Sequence, residues 1–196
     1  MSEAWLIRHA ETEWSASGRH TGRTDVPLTE AGREGARALR ERLAGRAWAA
    51  VWTSPLSRAR ETCELAGLGD HAVVREDLLE WDYGEYEGIT TAQIRAERPD
   101  WYLWADGCPG GESPAAAAAR ADGVVADLVA ADGAVAVFAH GHILRMVAGR
   151  WIEMAADGGG HLALATGSIS ILGFEREVRV LRRWNATAEP PGPTSG

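Results

Sequence analysis

Two short, unbroken apolar runs constrain this chain most: residues 4–7 (Ala-Trp-Leu-Ile) and residues 135–139 (Val-Ala-Val-Phe-Ala). Neither alternates with polar residues, as a strand with one wet face would, so each suits a strand covered on both faces of a parallel sheet. In open α/β sheets ligands gather at the carboxyl ends of the strands. The first run ends in Arg8-His9 and the second in His140-Gly141-His142. An arginine fork beside an imidazole suits a phosphoryl group, because guanidinium offers paired donors to phosphate oxygens and an unprotonated ring nitrogen can attack phosphorus. Taken alone, a histidine near a strand end is more often a hydrogen-bonded structural residue than a nucleophile.

The rest of the chain repeats a strand, polar turn and helix pattern. Residues 48–53 form a third apolar run, ended by Thr53-Ser54-Pro55, and Val73-Val74 is a short candidate strand. Helices are predicted from a Thr29 cap to Leu43, from Ser54-Pro55-Leu56 with Pro55 at the first helical position, and over 91–98, 115–131 and 143–151. Arg58 falls in the first turn of the second of these, where free amides and the helix dipole favour anions. Residues 11–25 read as a long polar loop, Gly158-Gly159-Gly160 as a flexible turn, and 168–174 with 178–184 as a closing hairpin. The Pro/Gly-rich stretch 188–196 is expected to be disordered. Together these elements predict one domain over residues 1–187, a three-layer α/β/α sandwich with a mostly parallel central sheet and an antiparallel edge.

Several chemistries are excluded. A net charge of −8 and a pI near 5.3 oppose nucleic-acid binding. With no long uncharged apolar run and no signal-peptide layout, the expectation is a cytoplasmic protein off the membrane. All 20 basic residues are arginine, so a Walker A lysine and Schiff-base chemistry are absent. Cys63 and Cys108 are too few for a disulfide framework, and Gly69 and Pro114 stand six positions after them where a cysteine-dependent phosphatase would carry arginine. Neither an Asp-x-Asp pair nor a Gly-x-Ser-x-Gly elbow occurs. His140 and His142 have no Asp-rich cluster to complete a metal site, so neither metal nor cofactor is expected.

Two loops remain. Residues 78–88 hold Glu80, Glu85 and Glu87 among Trp81, Tyr83 and Tyr86, and a carboxyl against aromatic walls can become a general acid. The stretch Gly107-Cys108-Pro109-Gly110-Gly111-Glu112-Ser113-Pro114 has the composition of a phosphate cradle. Trp101 and Trp104 read as a core stripe. With Trp81, Tyr83 and Tyr86, they also suggest an apolar wall around a leaving group.

In this order the motifs resemble the histidine phosphatase superfamily, also called phosphoglycerate mutase-like. Leu6-Ile7-Arg8-His9-Ala10-Glu11-Thr12 is similar to its signature, with Ala10 where glycine is usual. Thr53-Ser54-Pro55-Leu56-Ser57-Arg58 resembles its arginine motif, Leu79-Glu80-Trp81-Asp82-Tyr83-Gly84 its acid loop, and Ala139-His140-Gly141-His142 its second histidine motif. Within the family, Glu80 to Gly84 and Asp106 to Pro109 look most like an actinobacterial acid phosphatase subgroup, and less like sugar bisphosphatases.

The resemblance implies a phosphoric monoester hydrolase acting on a small phosphorylated metabolite. His9 would be the nucleophile that becomes a phosphohistidine, Arg8, Arg58 and His140 would bind the phosphoryl oxygens, and Glu80 would be the general acid and base, with Glu85 and Glu87 as competitors. Ser15 (where asparagine is frequent), Thr21, Gly22 and Gly141 would be further phosphate contacts, and His142 a packing or supporting residue. Sixty positions separate Glu80 from His140, fewer than in the family's mutases, which favours hydrolysis over phosphoryl return. The alternatives are a phosphoglycerate mutase or sugar bisphosphatase, a protein phosphohistidine phosphatase, and a non-catalytic phosphate-binding module. The hairpin edge offers a surface for a homodimer.

Overall fold

The structure, a computed structural model, describes residues 2–187. Its centre is a six-stranded sheet in the order β3-β2-β4-β1-β5-β6. Strands β1 (Glu3–Arg8), β2 (Trp48–Thr53), β3 (Ala72–Val74) and β4 (Ala134–Ala139) are parallel, and β5 (Ile169–Glu175) and β6 (Val178–Ala186) form an antiparallel edge. The two most apolar runs are therefore the two innermost strands, as a strand buried on both faces requires.

Period-two alternation sends the side chains of each strand to opposite layers. From β1, Trp5 and Ile7 join Leu39 and Leu43 of α2 (Glu30–Leu43) and Cys63 of α3 (Ser57–Leu65). Ala4 and Leu6 pack on the other face against Val124 and Leu128 of α6 (Pro114–Ala130) and Leu144 and Val147 of α7 (Gly141–Trp151). The three-layer α/β/α expectation holds. Residues 188–196, predicted to be disordered, lie outside the described residues.

Four local expectations are corrected. The polar loop after β1 contains a short helix, α1 (Glu13–Ser17), closed by a capping box between Thr12 and Ser15; five residues are too few to show an apolar period. Pro55 stands outside α3, because the chain stays extended through Leu56, the N-cap, and the Ser57 N–H donates to Asp25 at 2.9 Å. Gly141 and His142 belong to α7 rather than to the turn before it. The glycine run at 158–160 is tightly packed: Gly158 and Gly159 are buried, and a Cβ on Gly159 would lie 2.5 Å from the Trp104 ring. Its glycines serve close approach.

Register decides what meets at the top of the sheet. Arg8 pairs with Ala139, and Thr53 with Phe138. The ladder runs one step further, through His9 N–H to Ala139 C=O and Ser54 N–H to Phe138 C=O, both at 2.9 Å. His9, His140 and Ser54 thus leave three adjacent strands at one level. The remaining helices of the same half, α4 (Thr91–Glu97) and α5 (Leu103–Asp106), carry the segment between the acid loop and α6.

Candidate active site

His9 and His140 face each other with ring centroids 5.2 Å apart, and His9 lines a cavity of about 270 Å³. Arg8, His9, Ser15, Arg19, His20, Thr21, Glu80, Tyr83, Thr91 and His142 are on its wall. Arg58 and His140 lie just behind it, fully buried, as do Gly22 and Gly141.

The tautomer of His9 follows from its neighbours. Nδ1 is 2.7 Å from the Ala10 carbonyl oxygen, which can only accept, so Nδ1 carries the proton and Nε2 the lone pair. Burial, followed by the charges of Arg8 and Arg58, pushes the imidazole down to about 3, so the ring is neutral in any ordinary buffer. Thr62 holds the backbone here: its hydroxyl accepts the Ala10 N–H at 3.0 Å and donates to the Arg58 carbonyl at 2.6 Å.

Arg8 donates from Nη1 to the Leu164 carbonyl at 2.5 Å, while its buried Nε has no partner among the described residues. A buried guanidinium N–H without an acceptor is costly, and at the edge of a cavity it is placed to receive an anion. Arg58 is differently employed. It donates from Nε to His140 Nδ1 at 3.2 Å, from Nη1 to the Thr24 carbonyl at 2.9 Å, and from Nη2 to the carbonyls of Thr21 and Gly22 at 3.1 and 2.9 Å. His140 therefore accepts on Nδ1 and donates from Nε2 to Ser54 Oγ at 2.7 Å. Both ring nitrogens of His140 are engaged, and Arg58 ties down the carbonyls of Thr21, Gly22 and Thr24.

Of the three candidate acids, only Glu80 reaches the cavity. Glu85 lies outside its wall, and Glu87 accepts the N–H groups of Gly22 and Thr24. The Glu80 carboxylate caps α7, accepting the N–H of His142 at 2.9 Å and of Ile143 at 2.9 Å, together with that of Trp81 at 2.9 Å. Burial alone would push this carboxyl up. Its contacts to the ring and amide of His142 outweigh that and hold it well below the usual carboxylate range. The amide bonds persist whatever the imidazoles' charge, so the resting state is an ionised carboxylate at a helix N-terminus. Aromatic walls were expected to raise this group, and the helix end reverses the sign.

The other candidates divide. Ser15 is on the wall, but its hydroxyl donates to the Thr12 carbonyl and accepts the Thr12 N–H. Thr21 is on the wall with its hydroxyl on the Arg19 carbonyl, and the Gly22 amide is spent on Glu87. The loop read as a phosphate cradle is a brace: Gly111 packs against the Asp82 carbonyl where a Cβ would come within 2.2 Å, and Glu112 binds the Asp82 N–H and Arg120. Trp81, Trp101 and Trp104 are core, and of the expected aromatic wall only Tyr83 lines the cavity.

Sequence reasoning missed His20 on this wall and gave His142 support alone. His142 Nδ1 is 2.6 Å from the Tyr83 hydroxyl, and His20 packs on Tyr83 with centroids 4.7 Å apart. Their only signal in the sequence was a histidine in a polar loop and the last residue of the second histidine motif. Among the described residues no group of three or more His, Cys, Asp or Glu is placed to hold a metal ion, and no helix is long and apolar enough to cross a membrane.

Comparison with known proteins identifies the family. The chain is 44% identical over 192 residues to an acid phosphatase of Mycobacterium tuberculosis, covering 94% of this chain and 93% of that one. It is 37% identical to a sedoheptulose 1,7-bisphosphatase of Saccharomyces cerevisiae, over 78% of this chain and 68% of the relative. A solved structure of an open reading frame product from Mycobacterium tuberculosis superposes with a TM-score of 0.89 at 42% identity, covering 95% of this chain and 98% of that one. The family model described as histidine phosphatase superfamily (branch 1) matches residues 4–187. The chain belongs to the histidine phosphatase superfamily, branch 1.

Proposed function

We propose that this protein is a metal-independent phosphomonoesterase that works through a phosphohistidine at His9. The observation that carries the reading is the pairing, in one small cavity, of a histidine with its Nε2 lone pair free and an arginine with a buried, unpartnered Nε. The phosphatase names of the relatives support the same class of reaction.

In the first step the ester phosphoryl group takes the Arg8 N–H groups, and Nε2 of His9 attacks phosphorus. Arg58 and His140 close the far side, Arg58 countering the charge that spreads onto the equatorial oxygens. The P–N bond forms as the P–O bond to the leaving group breaks, and the leaving oxygen takes a proton through Glu80. Because Glu80 rests ionised, that proton arrives with the substrate: a phosphomonoester loses its second proton only at pH about 6, and its charge beside Glu80 raises the carboxyl's affinity for a proton. In the second step the Glu80 carboxylate removes a proton from water, the water oxygen attacks phosphorus, and His9 is released with inorganic phosphate.

The test is release of inorganic phosphate from a panel of phosphomonoesters, with and without EDTA, beside an incubation of 3-phosphoglycerate with a trace of 2,3-bisphosphoglycerate. Steady phosphate release insensitive to EDTA is expected. Rapid interconversion of phosphoglycerates with little phosphate released would overturn the hydrolase reading.

A further inference from the structure

His20 does none of the phosphoryl chemistry, yet the fold fixes it on the cavity wall from both sides. Its backbone exchanges hydrogen bonds with the acid loop, His20 N–H to Ile89 C=O and Gly88 N–H to His20 C=O, each at 2.9 Å. Its ring lies against Tyr83 at 4.7 Å and edge-on to Trp101 at 5.7 Å. Nε2 stands 3.2 Å from Thr91 Oγ1, and Nδ1 has no protein partner among the described residues. A half-buried ring held this firmly, with one nitrogen left over beside a cavity, is arranged for a ligand group.

Resting on the phosphomonoesterase reading, we propose that His20 selects the leaving group, with Nδ1 binding a hydroxyl of a polyol or sugar phosphate in preference to a second phosphate. Charge supports this. Burial, then the nearby His142, pushes the His20 imidazole down to about 4, so near neutral pH it offers a hydrogen bond and no positive charge. Beyond Arg8 the only other guanidinium on the wall is Arg19, at its exposed end; Arg23 pairs with Asp82, Arg95 holds the Trp101 carbonyl and Arg98 the Tyr86 hydroxyl. The rest of the wall around His20 is uncharged and hydrogen-bonding, through Thr91, Tyr83 and His142. A second phosphate there would be desolvated beside the Glu80 carboxylate, whereas hydroxyls would be matched.

The test compares kcat/KM for glycerol 3-phosphate, n-propyl phosphate and propane-1,3-diol bisphosphate, which share a three-carbon frame. Wild-type protein is expected to favour glycerol 3-phosphate over n-propyl phosphate by about three- to tenfold, the worth of one net hydrogen bond, expressed in KM, and over the bisphosphate as well. His20→Phe should bring the glycerol to propyl ratio to within about twofold of unity, and His20→Asn, which keeps a hydrogen-bonding head, should restore part of it. A ratio near unity in wild type, or one that survives in His20→Phe, overturns the proposal. So does a preference for the bisphosphate that is lost in Arg19→Ala. Release of phosphate from none of the esters instead overturns the phosphomonoesterase reading, and this inference falls with it.

Discussion

Replacing Glu80 by glutamine separates two jobs that the structure assigns to one side chain. The carboxylate accepts N–H groups from Trp81, His142 and Ile143 at 2.9 Å, with Oε1 taking Trp81 and Ile143 and the His142 N–H shared between Oε2 at 2.9 Å and Oε1 at 3.1 Å. A glutamine carbonyl can keep all three N–H groups on Oε1, but its NH₂ then faces the His142 N–H donor to donor and the shorter half of that shared bond is lost. Weakening that buried contact costs about 0.5–1.5 kcal/mol, the net worth of one hydrogen bond. Loss of the proton-transfer group costs about 10²–10⁴ in rate. That loss depends on the leaving group, whereas the cost of the weakened amide contact is the same for every substrate. Steady-state kinetics on an alkyl phosphate and on 4-nitrophenyl phosphate, with Tm recorded for both proteins, tells the two effects apart. The alkyl ester, whose alkoxide needs a proton, should lose at least about a hundredfold in kcat/KM, and the nitrophenyl ester about tenfold or less. An equal fall for both esters would refute the assignment of proton transfer to Glu80.

Other perturbations follow from the same contacts. Thr62→Val strands the buried Ala10 N–H and should lower stability by about 1–3 kcal/mol; it should also lower kcat, read by thermal melting and kinetics. Gly159→Ala drives a Cβ toward Trp104 and the Arg145 carbonyl and should cost about 1–3 kcal/mol by overpacking, measured by urea denaturation. His9, His20, His140 and His142 all have folded pKa values below the ordinary 6.5, so the unfolded chain takes up protons first as pH falls. Their stabilisation is complete above 6.5 and declines below it, by up to about 1.4 kcal/mol per pH unit for each group. Glu80 adds a further loss below its ordinary 4.5. Tm should therefore drop steadily from pH 6.5 to 4.5, and a flat profile there would contradict the buried-imidazole picture. For an alkyl ester, kcat/KM should fall as pH rises past about 6, where the substrate loses the proton it brings.

The sheet and its functional edge were legible because the two innermost strands are apolar on both faces and end in basic residues. Arg8, His9 and Glu80 were found by motif and do line one cavity, and Arg58 and His140 stand directly behind it. What was not legible depends on contacts between distant segments. The pKa of Glu80 is lowered by the ring and then the amide of His142 in α7, sixty-odd positions away, so its aromatic neighbours gave the wrong sign. The glycines at 110–111 and 158–160 have turn composition, but their roles are close packing under the acid loop and Trp104. Ser15 and Gly22 lost their assigned contacts to a local capping box and to Glu87. His20 carried no periodicity or motif; only the pairing of its loop with Gly88 and Ile89 brings it to the wall.

The central claim is covalent. Rapid alkaline quench of the protein during turnover of a phosphomonoester, followed by peptide mapping and ³¹P NMR, tests it most directly. A base-stable, acid-labile phosphoryl group is expected on His9, built up further in Glu80→Gln when the ester is 4-nitrophenyl phosphate, and absent from His9→Ala, which should be inactive. A phosphoryl group on another residue, or phosphate release that persists in His9→Ala, would contradict it.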